Sequence, residues 1–295
     1  MELDAKHIEL LDKYLLENFI EISSVCDELY HHSPCVDIIL KTKKIRASSL
    51  RRLLDNGNDN REFLYGVSVI EVVFQMMVRQ DSFDKNEKGL LSKLATAFHD
   101  DLRVHDNNIF VLSTTYEQNN EYLNERYGRE KVRFKQEEFI TSLKNPNNYY
   151  RAYGDNKFSS IVRKILSKFG RKCCDPVRSK HGYGKVVIAS DQVIYDEDVF
   201  RSAIENDIKL FLKIFGNCKF EKHQINNDYM GKVTDYLFIK LIFYCAFFKR
   251  PCFGEHQYEN ELEYRYLIFL KDNAVKGLYK NLYLEIDIDE EVLSI

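Results

Sequence analysis

An α+β fold of short mixed or antiparallel strands flanked by many helices is what three features of this sequence predict. Helical apolar periodicity and short apolar runs alternate along the chain instead of segregating. Ile109-Phe110-Val111-Leu112 is apolar throughout, as a central strand covered on both faces must be. Turn-forming clusters such as Asn56-Gly57-Asn58-Asp59 separate the elements, and there is no long linker. With 295 residues, 44% of them hydrophobic, the chain can bury the core of one large domain, and no internal repeat divides it.

The elements follow in order. Ile8, Leu11, Leu15, Phe19 and Ile22 recur at helical spacing, so residues 1–27 hold an N-terminal helix. A short strand at 28–31 comes next. Ser33-Pro34 supplies an N-cap and a first-turn proline for a helix over 35–41. A second strand is expected at 45–48, then a turn at 56–59. Val69, Val72, Val73, Met76 and Met77 mark a helix over 62–79, and another is expected over 87–103. The strand at 109–113 follows, with a helix starting near 117–119. Residues 144–185 read as a less regular basic insertion around one helix at 158–169. Strands at 186–188 and 193–195 precede a helix over 196–215. The apolar run at 236–248 belongs to a buried helix over 228–248, interrupted by Lys240 and too short to span a bilayer. Strands at 263–270 and 282–288 close the chain, and the alternating acids from Glu285 to Glu290 suggest an edge strand protected by charge.

Composition removes several function classes. Lys and Arg number 43 against 46 Asp and Glu, so no whole-chain field argues for nucleic acid or membrane. Seven cysteines lack any C-x-x-C pair, which fits reduced thiols better than a disulfide framework or zinc site. The N-terminus carries acid before any apolar run, unlike a secretion signal. A cytoplasmic protein without a metal cofactor or a membrane partner is the expectation.

Three separated segments carry candidate chemistry, each at a strand end: Leu29-Tyr30-His31-His32-Ser33, Ile109 to Thr115, and Glu259 to Arg265. On a strand, residues two apart share a face, so Glu261, Glu263 and Arg265 should line one side. A carboxylate beside an arginine stays ionised and can stabilise a cationic, oxocarbenium-like sugar. The bland alternative is a Glu–Arg ladder. Ser113, Thr114 and Thr115 can either bind a ligand or cap the following helix. His31 can donate to a ribose hydroxyl or serve a structural role.

The flanks of these segments extend the pattern. His31-His32-Ser33, an Ile38-Ile39 helix, Ile45-Arg46-Ala47-Ser48, and Asn58-Asp59-Asn60-Arg61-Glu62-Phe63-Leu64-Tyr65-Gly66 occur in that order. Ile109 to Thr114, Glu125-Arg126-Tyr127-Gly128, Phe248-Lys249-Arg250-Pro251, and Glu261-Leu262-Glu263-Tyr264-Arg265 complete it. Over roughly residues 29–270 this resembles a widespread bacterial family of unknown function associated with abortive infection and phage defence. The order histidine, strand-end hydroxyls, glutamate also resembles the NAD-binding signature of ADP-ribosyltransferases. That resemblance implies an ADP-ribosyltransferase-like fold with a split central sheet, and NAD as substrate. It implies catalytic roles for Glu263, with Glu261 the alternative, and for His31. It places NAD against His31, His32, Ser113, Thr114 and Thr115, with Arg126 and Arg265 positioning carboxylates or phosphates. Two departures stand out: His32 where the family has another aromatic, and Glu125 where it has tryptophan.

Between Lys157 and Lys185 nine basic residues face Asp175 alone. Within it Arg163, Lys164, Lys168, Arg171 and Lys172, with aromatic residues interleaved, suit nucleic-acid contacts; the alternative is a solvated helix face. The acceptor of a transferred ADP-ribose could then be nucleic acid or protein. A non-catalytic regulatory module that binds a partner is a second reading. A metal-dependent nuclease built on Asp59, Glu62, Glu261 and Glu263 is a third.

Overall fold

The structure, a computed structural model, describes residues 9, 11, 13–14, 27–50, 58–105, 108–145, 149–153, 175–176, 178–179, 182–183, 186–215, 227–253, 255–270, 282–288 and 292–294. The basic residues Arg163, Lys164, Lys168, Arg171 and Lys172, the helix expected at 158–169, and most of the N-terminal helix lie outside them.

In chain order the elements begin with β1 (Glu28–His32), α1 (Val36–Thr42), β2 (Lys44–Ser49), α2 (Asn58–Arg79), α3 (Lys85–His105) and β3 (Ile109–Thr115). Next come α4 (Glu121–Tyr127), β4 (Lys131–Lys135), α5 (Gln136–Lys144), β5 (Tyr149–Tyr153), β6 (Asp175–Pro176), β7 (Arg178–Ser179), β8 (Gly182–Tyr183) and β9 (Val186–Gln192). The chain continues with α6 (Glu197–Phe215), α7 (Asn227–Phe247), β10 (Cys252–Phe253), β11 (His256–Gln257), β12 (Glu263–Leu270), β13 (Leu282–Asp287) and β14 (Leu293–Ser294). They form a mixed α and β structure in two compact, discontinuous units.

One unit is helical, formed by residues 1–21, 61–105 and 194–250. From Tyr236 on, helix α7 is apolar on every side but for Lys240, and every residue from Tyr236 to Phe248 is buried in it or at its end, as such a stretch requires. The one charge within that stretch, Lys240, is fully buried and paired with Asp207 of α6 at 2.8 Å. Gly66 lets α2 approach α7: a Cβ there would stand 3.3 Å from the Cα of Cys245. One turn earlier, Glu62 accepts both the backbone amide (2.9 Å) and the guanidinium of Arg250, whose charge lies over the ring of Tyr65. Glu62, Tyr65, Gly66 and Arg250 therefore act in packing this unit. Among the described residues no helix is long and apolar enough to cross a membrane.

The other unit, residues 22–60, 106–193 and 251–295, holds the sheet. All its strand pairs are antiparallel, in the order β14-β4-β1-β3-β2-β13-β5-β6, with β12 joined to β3 and β9. One face packs Leu29, Leu112, Phe134, Tyr266, Ile268 and Leu284 with Phe139 of α5. Phe139 stacks on Phe134 (4.7 Å between centroids) and meets Tyr266 edge-on (5.0 Å). Each such side chain contributes about 1.5–3 kcal/mol through burial.

Several expectations are corrected. Pro34 precedes α1, whose N-cap is Cys35, and the Ser33 hydroxyl accepts the Cys35 amide at 3.1 Å. Asn58 and Asp59, read as a turn, open α2. Strand β9 runs unbroken to Gln192, while Ile194 forms only a parallel bridge to Phe248. The start of the 144–185 insertion supplies β5, a strand of the main sheet. The acidic β13 is internal, between β2 and β5. Its charges are answered across the ladder: Arg46 donates to Glu285 (2.9 Å), and Lys44 pairs with Asp287 (3.3 Å).

Candidate functional site

The site begins with a fork in the sheet. One edge of β3 is shared by two strands: β1 pairs at Tyr30↔Thr115, and β2 pairs at Ser48↔Val111 and Ser49↔Phe110. Between those pairs the two strands part, and residues 112–114 lie in the gap. The other edge of β3 is covered by β12 from Phe269↔Ile109 to Glu263↔Thr115.

His31 closes the fork. Its Nδ1 lies 2.8 Å from the carbonyl oxygen of Ser113. A carbonyl only accepts, so Nδ1 carries the proton, and in the neutral ring Nε2 becomes an acceptor. Burial lowers the pKa of His31, opposed by the Ser113 bond and reinforced by His32, so the ring is neutral at pH 7. The expected donor to a ribose hydroxyl is thus an acceptor toward any such group. His32 donates from Nδ1 to the Gly128 carbonyl at 3.3 Å, and its buried Nε2 has no partner among the described residues. Gly128 has φ +89°, a backbone that disfavours a side chain there.

Register places the remaining groups. Directly opposed residues share a face. Tyr30, Thr115 and Glu263 form one row across β1, β3 and β12. Ser113, Arg265 and Asp191 form the next across β3, β12 and β9. The third row, Val111, Leu267 and Ala189, is apolar and buried. The face thus turns polar at one end only. By alternation His31 belongs to the opposite face from Tyr30, and reaches Ser113 through its carbonyl rather than its hydroxyl.

The hydroxyls divide in role. Thr114 donates to the carbonyl of Tyr264 (2.9 Å), and Thr115 to that of Leu262 (3.1 Å) while accepting the Glu117 amide (3.3 Å). Both hold backbone in place. Ser113 is exposed. The cap of α4 is neither threonine but Asn120, whose Oδ1 accepts the Leu123 amide at 2.9 Å.

The two glutamates also separate. Arg265 holds Glu263 by two parallel bonds, Nε to Oε1 at 2.8 Å and Nη2 to Oε2 at 2.9 Å. Glu261 does not share that face. It ends a 3₁₀ turn (Tyr258–Glu261), and Leu262 after it has left-handed backbone, φ 47° and ψ 48°. Glu261 pairs instead with Arg126 at 2.9 Å. A non-glycine residue in that conformation costs about 1–3 kcal/mol and persists only where neighbours over-determine it. Here they do: Asn120 donates to the carbonyls of Asn260 (2.8 Å) and Glu261 (3.3 Å), and Thr115 to that of Leu262. Replacing Asn120 with alanine should cost about 2–3 kcal/mol in chemical denaturation, as a lost cap plus two unsatisfied carbonyls. Asn120→Asp, which keeps the cap but aims an oxygen at those carbonyls, should not recover the loss.

Asp191 is the group that sequence reasoning missed. It was hidden because the strand was expected to end at 188, leaving this carboxylate off the sheet. The side chain is buried, and among the described residues it accepts the Gln192 amide at 2.8 Å. Burial pushes its pKa up to about 7, against the lowering effect of that bond. A raised carboxyl pKa means the folded chain keeps a proton the unfolded chain has released. Its stabilising effect is complete below the unfolded value, about 3.9, and is lost as pH rises through about 7. Asp191→Asn should therefore melt like the parent near pH 4 and above it at pH 8, measured by thermal denaturation at both.

Among the described residues no group of three or more His, Cys, Asp or Glu side chains could hold a metal ion. Glu62, Glu261 and Glu263 each face an arginine, which supplies the positive charge a metal would bring. No family model, curated protein or solved structure matches this chain.

Proposed function

We propose that the sheet-bearing unit is an NAD-dependent ADP-ribosyltransferase-like enzyme, an effector of the toxin or phage-defence type that modifies nucleic acid or protein. The observation that carries this reading is the fork: His31 bridges it to Ser113, and Ser113, Thr115, Glu263 and Arg265 share one face of the same sheet end. A ribose hydroxyl would donate to Nε2 of His31 through the opening of the fork, since that ring lies on the opposite face from Ser113 and Glu263. Ser113 would orient the nicotinamide half. Glu263, fixed in direction by Arg265, would stabilise the positive charge that develops on the ribose as nicotinamide leaves. Arg126, partly exposed beside Glu261, would meet a phosphate or carboxylate.

The test is nicotinamide release from NAD by the full chain, with NAD binding followed by calorimetry. Release above the uncatalysed rate is the expected result. Neither binding nor release would sink the reading. One observation favours a second reading, a non-catalytic module that binds a partner: both glutamates are buried in arginine pairs, as a structural network would have them. Binding of NAD without turnover would favour that module.

A further inference from the structure

We infer that Asp191 is the base that activates a hydroxyl acceptor, water or an alcohol group of the target, at the polar end of the forked sheet. The inference rests on the transferase reading above and adds the acceptor's chemistry to it. Its basis is placement. Asp191, Arg265 and Ser113 stand opposite one another on three adjacent strands and share a face. Strands lie about 4.8 Å apart, so about 10 Å separates the ends of that row, the width of a ribose with an acceptor beside it. Glu263 is the diagonal neighbour of Asp191, since the Val193 amide donates to the Glu263 carbonyl at 2.9 Å.

The two carboxylates are built for different tasks. Glu263 has one lone pair on each oxygen directed at the Arg265 guanidinium, an arrangement for holding charge still. Asp191 stands opposite the same arginine in the register, yet the donor it holds among the described residues is its neighbour's amide, on Oδ1, and the guanidinium is not among the causes of its raised pKa. Paired carboxylates in opposed environments are how one site separates a charge stabiliser from a proton-transfer group. Burial, by bringing Asp191 to about 7, lets it gain and lose a proton at neutral pH. His31 is a poorer base for this face, because its Nδ1 proton is held by the Ser113 carbonyl and its ring belongs to the other side. An acceptor cation such as a guanidinium would have to approach beside Arg265, so a neutral hydroxyl is the fitting partner.

The step balances. The bond from ribose C1′ to the nicotinamide nitrogen breaks, and its electron pair leaves on nicotinamide, which becomes neutral. The acceptor oxygen forms the new bond to C1′. Its proton passes to the Asp191 carboxylate and then to solvent.

The experiment measures nicotinamide release by the full chain between about pH 5 and 9, for wild type, Asp191→Asn and Asp191→Glu. The wild-type rate should climb through about pH 7 and level off. Asp191→Asn should be slower by about a hundred- to ten-thousand-fold and lose that limb, with NAD affinity unchanged by calorimetry. Asp191→Glu should restore part of the rate and the limb. Products should be free ADP-ribose or an oxygen-linked adduct. Release by Asp191→Asn with the limb intact, or an adduct through nitrogen or sulfur, overturns this inference and leaves the transferase reading standing. Absence of release by the wild type overturns that reading, and this inference with it.

Discussion

Lys240→Met should destabilise the helical unit by about 3–5 kcal/mol, the usual penalty for stranding one member of a buried ion pair. Lys240 is fully buried in a stretch, residues 236–248, whose other side chains are apolar or aromatic. Its ammonium lies 2.8 Å from Oδ1 of Asp207, donates to the Tyr14 carbonyl at 2.6 Å, and sits 4.2 Å from the Tyr14 ring centroid. The Tyr14 hydroxyl donates to Oδ2 of Asp207 at 2.8 Å, so the carboxylate meets a hydroxyl on one oxygen and the ammonium charge on the other. Burial raises the pKa of Asp207, with Lys240 pulling against it, and burial followed by Asp207 raises that of Tyr14 well above its usual value. Removing the lysine leaves the acid buried without its cation. Adding Asp207→Asn, which keeps an acceptor for Tyr14 and removes the charge, should recover more than half the loss. Urea denaturation of the single and double variants measures both. A Lys240→Met variant within about 1 kcal/mol of the parent would show that the pair is not desolvated.

Glu263→Gln should slow nicotinamide release by about a hundred- to a thousandfold, about 2.7–4 kcal/mol in the barrier, while NAD binding changes only a few-fold. The reason is differential: glutamine keeps the shape and can still accept from Arg265, but carries no charge to oppose a cation that exists only in the transition state. Glu261→Gln serves as the control, because its carboxylate lies on the 3₁₀ turn against Arg126 and off the face that carries Ser113 and Arg265. Equal losses from the two variants would mean that the effect is structural. Single-turnover assays with NAD separate the chemical step from binding.

The long elements were legible because burial writes a period into sequence. The helices α2, α3, α6 and α7 and the strands β3 and β12 follow their apolar patterns to within a few residues. Strand β4 and helix α5 were missed although Lys131-Val132-Arg133-Phe134-Lys135 alternates cleanly, because five residues rich in charge give a weak signal. The acids of β13 looked like edge protection, since sequence does not display Arg46 and Lys44 on the strand beside them. In the candidate site, the pairing of Glu263 with Arg265 followed from a spacing of two on one strand. The fate of Glu261 did not, because leucine gives no warning of left-handed backbone.

Sequence alone singled out His31, Ser113, Glu263 and Arg265 as candidates, each on or near the end of a strand. Tertiary structure decided which of them meet and how. The fork at β3 turned His31 toward a backbone carbonyl, and the Asn120 and Thr115 bonds bent Glu261 away from Glu263. Register brought Asp191 beside Arg265 from more than seventy positions away. Periodicity is a local property, set by which face of one element is buried. Register and hydrogen-bond partners are set by which distant strands lie side by side, and no local window of residues contains that information.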